Sequence, residues 1–369
     1  MKIADVMTAV VSMPFHKEFH ISGGGTPLKT HVLVKVVSDD GVEGIGEAAP
    51  FTAYSEESYG TVEHVIKEFL RPAVLGQDPM DQEMIETHLD RAVRRNTFAK
   101  AAVDMALFDL VGKALGLPAY KLLGGLYRSR VPQAWSIGIA EIEEMVQEAV
   151  HYVELGFHAV KIKIGRDPQK DLECLAAVRE AIGPDVKLRV DANQGYRAGE
   201  ALSILKKMEK YDLEYIEQPL PRWDIEGTAA LAAALDTPIL ADESAVTPQD
   251  VVNLVRRRAA GVINIKIAKS GLLKGKRMAA IAEAAGLACM VGSMIELGPG
   301  TAAGLHFAAA TRNVTHASEL VGPLLFKDDI IEGKRFSQPP AGGYWEVSDE
   351  PGLGITLAEE VDRLFTTPA

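Results

Sequence analysis

From about residue 131 onward, the sequence alternates short apolar runs with windows in which apolar residues recur at helical spacing. A strict order of strand and then helix predicts a parallel sheet with right-handed crossovers. Eight such units are the number that closes an α/β barrel of the TIM type, the (β/α)8 barrel. An open, doubly wound sheet is the alternative, but it usually has a glycine-rich phosphate-binding turn after its first strand, and this sequence has none there. The runs predicted as strands are 133–138, 158–165, 186–193, 213–219, 237–244, 261–271, 287–294 and 314–322.

The first 127 residues have a different pattern, which predicts a smaller α+β domain. Two alternating runs meet at Asp40-Gly41, a pair of residues that favours a tight β-hairpin turn. A strongly helical stretch follows, with Thr97 placed as its N-cap and Gly116 at its end. The glycine-rich segment around Gly23 follows no strand-to-helix turn, so we interpret it as a flexible loop.

Composition excludes several classes of function. The chain has 369 residues and a formal net charge of −12, which argues against binding to nucleic acid or to an anionic membrane surface. No apolar run approaches the roughly 20 residues that are needed to span a bilayer. The N-terminal run contains Asp5 and ends at Pro14, so it is interpreted as a strand and not as a signal peptide. We therefore expect a protein of the cytoplasm.

Charged side chains stand where the apolar runs end, and this arrangement carries most of the functional information. In a parallel barrel, the C-terminal ends of the strands meet at one face, where active sites are built. Chance would scatter these charges over the helix surfaces instead. The residues at the strand ends are Lys161 and Lys163 on the second run, Asp191 and Asn193 on the third, Glu217 on the fourth, Asp242 and Glu243 on the fifth, Lys266 and then Lys269 on the sixth, and Glu319 on the eighth.

Three of these acids, Asp191, Glu217 and Asp242, come from neighbouring strands and should converge. Carboxylates placed in this way repel one another, and a bound divalent cation removes that cost. Because the ligands would be oxygen atoms with no histidine or cysteine nearby, Mg²⁺ or Mn²⁺ is expected rather than zinc. The alternative is a structural network in which the acids form buried salt bridges with the lysines.

Lys163 and Lys266 belong to the second and sixth runs, which lie on opposite sides of an eight-stranded barrel. We therefore expect them to face each other across a bound substrate. A lysine close to a cation and to other lysines loses its proton more easily, which suits a general base. Lys161 would either lower the pKa of Lys163 or bind a substrate carboxylate.

Together these residues resemble the enolase superfamily, and within it the muconate lactonizing subgroup. The barrel motifs that carry the resemblance are KIKIG (161–165), VDAN (190–193), IEQP (216–219), ADES (241–244), NIKIAKSG (264–271) and SELVGPLL (318–325). Further motifs extend it over nearly the whole chain, namely DDGVEGIGEA (39–48), NTFAKAAVDMALFD (96–109), LGLP (115–118) and PGLGI (351–355).

The resemblance implies roles for individual residues. Asp191, Glu217 and Asp242 would bind Mg²⁺, with Mn²⁺ as the alternative. Lys163 and Lys266 would be the acid/base pair, a use of lysine with Mg²⁺ that is a known property of the superfamily. Lys161 would support this pair electrostatically. The groups expected around the metal or the substrate are Asn193, Glu243 and Glu319, with His20, Ile21, Phe51 and Tyr54 from two capping loops near residues 18–28 and 50–57.

The resemblance also implies an architecture. Residues 1–127 would form an α+β capping domain, and residues 128–325 a modified (β/α)8 barrel. Residues 326–369 would return to complete the cap. Members of this superfamily commonly assemble, so a homo-oligomer is expected.

The activity that the resemblance implies is isomerisation of a small-molecule carboxylate by proton transfer at its α carbon, through an enolate. The motifs at 264–271 and 318–325 most resemble muconate cycloisomerase, which converts muconate into muconolactone. N-acyl amino acid racemase and o-succinylbenzoate synthase stay open because they use the same lysines.

Other activities match less well. Dipeptide epimerases carry an Asp-x-Asp pair where this chain has Glu319 and Val321, and the mandelate racemase branch requires a histidine on the seventh strand. A Schiff-base aldolase barrel and a non-catalytic metabolite-binding relative are the alternatives from other classes.

Overall fold

The computed structural model of this chain describes residues 1–21, 24–52 and 54–365. An antiparallel sheet begins the chain, and its strands are β1 (Ile3–Ile21), β2 (Gly24–Ser38) and β3 (Glu43–Ala48), in that order. The helices that follow are α1 (Tyr59–Val65), α2 (Arg71–Val74), α3 (Gln82–Ala92), α4 (Thr97–Leu115) and α5 (Ala119–Leu122), with a π-helical turn (Ile66–Leu70) between the first two. We call these elements the cap.

The first hairpin of the cap is longer than the sequence indicates. Gly23, where a flexible loop is predicted, lies outside the described residues. Around it, however, β1 and β2 stay paired as far as Ile21 and Gly24. Most of the loop expected at 18–28 is therefore the end of a β-hairpin, because cross-strand hydrogen bonding outweighs the local glycine content. The turn predicted at Asp40-Gly41 joins β2 to β3 and is confirmed.

Helix α4 packs so closely on the cap sheet that two positions of β3 must be glycine. A Cβ atom at Gly44 would lie 2.1 Å from the carbonyl oxygen of Ala106, and one at Gly46 would lie 2.0 Å from that of Ala102. Because the atoms in the way are backbone atoms that cannot rotate aside, no side chain fits at either position. The repeated glycines of the GIGEA segment are thus explained by helix–sheet packing.

The N-cap prediction for α4 is wrong by one residue. Asn96 occupies the cap position with φ of 48°, and Thr97 is already helical. The Glu57 carboxylate accepts hydrogen bonds from the backbone amides of Phe98 (2.9 Å) and Ala99 (3.2 Å). A distant side chain therefore satisfies the helix terminus, which local spacing does not reveal.

The second part of the chain forms a parallel sheet of seven strands. Strand β4 (Arg130–Pro132) precedes it. The barrel strands are β5 (Ala134–Ile137), β6 (Ala159–Lys163), β7 (Lys187–Asp191), β8 (Leu213–Glu217), β9 (Ile239–Ala241), β10 (Val262–Ile265) and β11 (Ala288–Val291). The helices are α6 (Ile142–Glu154), α7 (Pro168–Ile182), α8 (Ala198–Met208), α9 (Ile225–Ala234), α10 (Pro248–Arg257), α11 (Ile267–Ala284) and α12 (Gly298–Ala309).

These strands lie in sequential order across the sheet, without the reversal that defines a doubly wound fold. The barrel prediction is therefore confirmed and the open-sheet alternative is excluded. Within the described ranges, none of the helices is both long enough and apolar enough to cross a membrane.

The eighth run does not form the regular strand that the alternation predicts. It makes single parallel bridges, Val314 with Cys289 of β11 and Ser318 with Gln133, the residue before β5. The run thus contacts both edges of the sheet and closes the barrel through isolated bonds. Its sequence, VTHASELVG, mixes polar and small residues and lacks the apolar alternation that keeps a strand paired along its length.

The C-terminal segment returns to the cap. Its strand β12 (Tyr344–Glu346) pairs with β4, and a last helical turn, α13 (Glu359–Asp362), follows. The backbone amide of Leu353 donates to the Asp109 carboxylate of α4 at 2.7 Å, and Asp362 forms an ion pair with Lys35 of β2 at 2.7 Å. These contacts complete the cap from both ends of the chain.

His306 lies where barrel, cap and C-terminal segment meet. This buried α12 side chain accepts a hydrogen bond at Nδ1 from the backbone amide of Tyr120 (3.2 Å), and its Nε2 donates to the carbonyl of Leu353 (3.2 Å). Burial lowers the pKa of the imidazole to about 4 from its ordinary 6.5. The folded state therefore binds fewer protons than the unfolded state between these values, so stability is lost as the pH falls through this window.

We expect urea unfolding to show that this histidine lowers the free energy of unfolding by roughly 3 kcal/mol as the pH falls from about 6.5 to 4. The variant His306→Gln keeps a donor and an acceptor but cannot take up the proton. It should lack this part of the pH dependence. Identical slopes of unfolding free energy against pH for the two proteins would contradict the assignment.

Candidate active site

The predicted site residues stand at the C-terminal ends of adjacent barrel strands. Lys163 ends β6, Asp191 ends β7 and Glu217 ends β8, and the sheet pairs the first with the second and the second with the third. Asp242 directly follows β9, and Lys266 directly follows β10. All five side chains are buried, and the three acids are wholly inaccessible to solvent. The fold thus brings them together at one end of the sheet.

Lys161 lies among three of the carboxylates. Its ammonium group donates to Glu217 at 2.8 Å and to Glu319 at 2.5 Å, and it lies 3.5 Å from Asp191. Burial lowers the pKa of Lys161, but the charges of these three acids outweigh that effect and raise it well above the ordinary value. Lys161 therefore stays charged, which suits electrostatic support and not proton abstraction.

A second group forms around Lys163. Its ammonium donates to the Asp191 carboxylate at 2.6 Å and to the side-chain oxygen of Asn193 at 2.8 Å. The amide nitrogen of Asn193 in turn donates to Glu243 at 3.2 Å, whose other carboxylate oxygen is buried and has no hydrogen-bond partner. Burial raises the pKa of Glu243 to about 8, and the charges of Asp242 and Asp191 act in the same direction. Glu243 is thus mainly protonated at neutral pH.

Asp242 forms a third group with two lysines and a tyrosine from the cap. One carboxylate oxygen accepts from Lys266 (2.7 Å) and from the Tyr54 hydroxyl (2.7 Å), and the other accepts from Lys269 (2.6 Å). Burial raises the pKa of Asp242, but the two ammonium groups outweigh it and hold this pKa below its ordinary range.

The pKa of Lys266 is raised while it is paired in this way, and the lowered pKa expected beside a cation stays a prediction. Burial lowers the pKa of Lys266, yet the charges of Asp242 and Glu217 raise it above the ordinary lysine value. Release of the ammonium from Asp242 would remove the larger of these two charges. The proton affinity of Lys266 therefore depends on what else binds that carboxylate.

The donor atoms fit a divalent cation. Burial raises the pKa of Glu217 to about 7, and repulsion from the charge of Asp191 raises it further. These two carboxylates therefore interact electrostatically. A group of buried carboxylates on adjacent strands, without histidine or cysteine, is the donor set that Mg²⁺ and Mn²⁺ prefer. In residues 1–21, 24–52 and 54–365, however, no three acidic, histidine or cysteine side chains are gathered into a complete ligand set. The ammonium groups lie between the acids, so the salt-bridge alternative describes these contacts as well.

Sequence reasoning missed side chains that lie on the same strand faces as the predicted ones. The side-chain amide of Asn264 donates to the Glu217 carboxylate at 2.8 Å. The Tyr215 hydroxyl lies 3.4 Å and the Arg189 guanidinium 3.7 Å from the Glu319 carboxylate. Each of the three precedes a predicted site residue by two positions. Since strand side chains alternate between faces, this spacing was the signal that could have identified them.

The backbone near the site has positive φ at several residues that are not glycine, among them Asn193, Gln218 and Ile295. Ile295 has φ of 59°, an unusual conformation for a β-branched residue. Gln218 has φ of 35°, and its side-chain oxygen accepts from the backbone amides of Asp242 (3.0 Å) and Ser244 (3.1 Å). Gln218 thereby fixes the segment that carries Asp242. Strain of this kind concentrates at functional sites.

A pocket of about 700 Å³, partly open to solvent, adjoins these groups and is lined by both the barrel and the cap. Phe51 and Tyr54, from the segment expected near 50–57, line it, and so does Lys29 of β2, which sequence reasoning did not select. Its charged and polar barrel lining consists of Ser136, Lys161, Lys163, Asn193, Lys266, Ser293 and Glu319. Its apolar barrel lining includes Trp135, Met294, Ile295, Val321 and Leu325.

His20 does not line this cavity. It lines a second one of about 1270 Å³, which shares Trp135 and Leu325 with the first. The carbonyl of His20 accepts a hydrogen bond from the amide of Ile139 at 3.1 Å, which holds the hairpin against the barrel beside the site. The side chain of Ile21, also expected near the substrate, lies outside the part of the molecule that the structure describes.

Known proteins are similar to this chain in sequence and in fold. A family model described as "Mandelate racemase / muconate lactonizing enzyme, N-terminal domain" matches residues 3–124, and one described as "Enolase C-terminal domain-like" matches residues 144–361. L-Ala-D/L-Glu epimerase of Bacillus subtilis is 38% identical over 96% of this chain and 97% of its own. N-succinyl-L-Arg/Lys racemase of Bacillus cereus is 34% identical over 99% of this chain and 98% of its own. The crystal structure of muconate lactonizing enzyme from Pseudomonas fluorescens, complexed with muconolactone, has a TM-score of 0.94 at 34% identity and covers 99% of both chains.

Proposed function

The chain belongs to the mandelate racemase/muconate lactonizing enzyme family of the enolase superfamily, and from that premise we propose that it is a divalent-metal-dependent isomerase moving a proton at the carbon next to a substrate carboxylate. Its relatives are isomerases, so the Schiff-base aldolase and the non-catalytic binding protein are set aside. The relatives divide among epimerase, racemase and lactonizing activities, and their sequence identities to this chain are similar. The muconate cycloisomerase assignment is therefore one candidate among these.

One observation carries the proposal. Lys163 and Lys266 line the same cavity from strands that have three others between them, and each donates to a buried acid of the same group. Two amines placed on different sides of a substrate can remove a proton from one face of a carbon and return it to the other. Lys161, with its raised pKa, would keep a positive charge beside the substrate carboxylate throughout.

Asp191, Glu217 and Asp242 would hold the cation. When bound, it would supply the positive charge that offsets the enolate formed at the substrate carboxylate. The chain's own contribution is to keep these acids dry and fixed. The Gln218 and Asn193 hydrogen bonds position the segments that carry two of them.

The cavity lining favours substrates without a free ammonium group. Among the described residues that line it, Glu319 is the one acid, and it is already engaged by Lys161. A free ammonium group of a substrate in this cavity would find no unengaged carboxylate in its lining, and Val321 adds an apolar surface. An N-acyl amino acid, whose nitrogen is neutral, meets this condition, and we propose racemisation of such a compound as the reaction.

Cycloisomerisation of muconate is the second candidate. The similarity to the muconolactone-bound lactonizing enzyme over 99% of both chains favours it, and muconate also lacks an ammonium group. Both candidates require the same acids and lysines. A homo-oligomeric state and a cytoplasmic location, expected from resemblance and from composition, stay predictions beside them.

The test is incubation in D₂O with Mg²⁺ and a panel of candidate substrates. The panel contains both enantiomers of several N-acyl amino acids, cis,cis-muconate and L-Ala-L-Glu. We expect deuterium at the α carbon and loss of optical activity for the N-acyl compounds. Loss of the ultraviolet absorbance of muconate would select the second candidate instead. Chelation by EDTA should abolish either activity. Exchange that is independent of metal, or no turnover of any member, would contradict the proposal.

A further inference from the structure

Lys29 is a buried ammonium group that the proposed chemistry does not use. It belongs to β2 of the cap, is 4% exposed, and lines the main cavity together with Phe51, whose ring centre lies 5.8 Å from its nitrogen. Its nitrogen donates to the backbone carbonyl of Met294, which follows the seventh barrel strand. An ammonium group has three N–H donors, so this one bond leaves capacity for others.

The acids near Lys29 are occupied elsewhere. Glu296 accepts from the Ser293 hydroxyl and from a backbone amide, and Glu47 accepts from His31 at 2.7 Å. Among the described residues, no carboxylate forms a direct ion pair with Lys29. A buried charge without a direct counter-charge is costly, and a bound anion would offset that cost.

Lys29 is nevertheless charged for much of the time at neutral pH. Burial lowers its pKa to about 8, and the neighbouring charge of Lys266 acts in the same direction, whereas Glu296 and Glu47 oppose the shift. Protonation thus prevails at pH 7. The group is available to an anion under the conditions in which the enzyme would work.

The position of Lys29 relative to the reaction centre is set by Met294. Lys29 contacts the carbonyl oxygen of this residue, and Lys266 lies 3.9 Å from its sulfur atom. Lys29 and Lys266 therefore both contact Met294, and Lys29 lies on the cap side of the same cavity. A substrate whose α carbon lies beside Lys266 could extend a second group to Lys29.

We propose that Lys29 binds a second carboxylate of the substrate, so that the enzyme acts on dicarboxylates in preference to monocarboxylates of the same length. The proposal rests on the proposed function for the position of the first carboxylate. It narrows the N-acyl candidate to acyl groups that end in a carboxylate, and it accommodates muconate, which is itself a dicarboxylate. A lysine that only ties the cap to the barrel would not discriminate between such ligands.

The experiment compares adipate with hexanoate as ligands, in buffer containing Mg²⁺, by calorimetry and by the shift in thermal unfolding. The native protein should bind adipate about 10- to 100-fold more tightly, the value of one charge-assisted hydrogen bond. Lys29→Met should lose this preference, and Lys29→Gln, which keeps a donor to Met294, should lose most of it. Lys121→Met, which removes an exposed cap lysine, should keep it.

Turnover measurements separate the proposed Lys29 subsite from the proposed isomerase activity. N-succinyl and N-butyryl derivatives of one amino acid have the same length, and Lys29→Met should lower the ratio of kcat/KM for the first to kcat/KM for the second by about 10-fold or more. No preference for adipate in the native protein, or an intact preference in both Lys29 variants, would overturn the assignment. A preference that depends on Lys29 in a protein that exchanges no α proton would support the subsite and refute the isomerase.

Discussion

Lys266→Met is expected to lower kcat for racemisation by about 10²- to 10⁴-fold, the usual contribution of a general acid or base. Lys163→Met should have an effect of the same size. The amines approach the α carbon from different strands, so each variant should still exchange the α proton of one enantiomer with D₂O. KM should change much less than kcat, because neither group is proposed to hold the substrate carboxylate.

The measurement is deuterium incorporation into each enantiomer by ¹H NMR. Lys207→Met, which removes an exposed lysine of α8, is the matched control and should leave both rates unchanged. Loss of exchange for the same enantiomer in both active-site variants would show that the two lysines act on one face. That outcome would contradict the two-base assignment.

Asp242→Asn is expected to lower turnover and to lower the stability of the protein without added metal. The substitution removes a proposed cation ligand, so the Mg²⁺ concentration for half-maximal activity should rise at least 10²-fold, with kcat falling as well. It also leaves Lys266 and Lys269 buried without their shared counter-charge, which costs about 3–5 kcal/mol when one partner of a buried pair is removed. Urea unfolding in EDTA measures the second effect.

Asp236→Asn is the control for that experiment, because Asp236 is fully exposed on the barrel surface. Its unfolding free energy and its Mg²⁺ requirement should match those of the native protein. An Asp242→Asn variant that is destabilised but keeps its Mg²⁺ requirement would leave Asp242 as a salt-bridge partner only. The salt-bridge alternative would then be correct for this residue.

The barrel and the strand-end charges could be predicted because both follow from local periodicity. A strand at 158–165 must place Lys161 and Lys163 on one face, and consecutive parallel units must place Asp191 and Glu217 side by side. The eighth run shows the limit of that reasoning, since its position in the alternation suggests a strand while its polar composition permits only single bridges.

The parts that could not be predicted depend on contacts between distant segments. Glu57 caps a helix that begins 40 residues later, and Lys29 reaches Met294 across the cap–barrel boundary. His20 was expected over the substrate, but the hairpin that carries it pairs further than its glycines suggest and docks beside a second cavity. The proton affinities were equally inaccessible, because the pKa of Lys266 depends on which acid its ammonium contacts.

We propose that Asp191, Glu217 and Asp242 hold one cation between the opposed Lys163 and Lys266. Crystals grown with Mn²⁺ and an unreactive N-acyl amino acid analogue, measured at a wavelength where manganese scatters anomalously, test it most directly. We expect one strong peak with an oxygen of each acid at about 2.1 Å, and the nitrogens of Lys163 and Lys266 on opposite sides of the ligand's α carbon. A peak remote from the three acids, or both nitrogens on the same side, would contradict it.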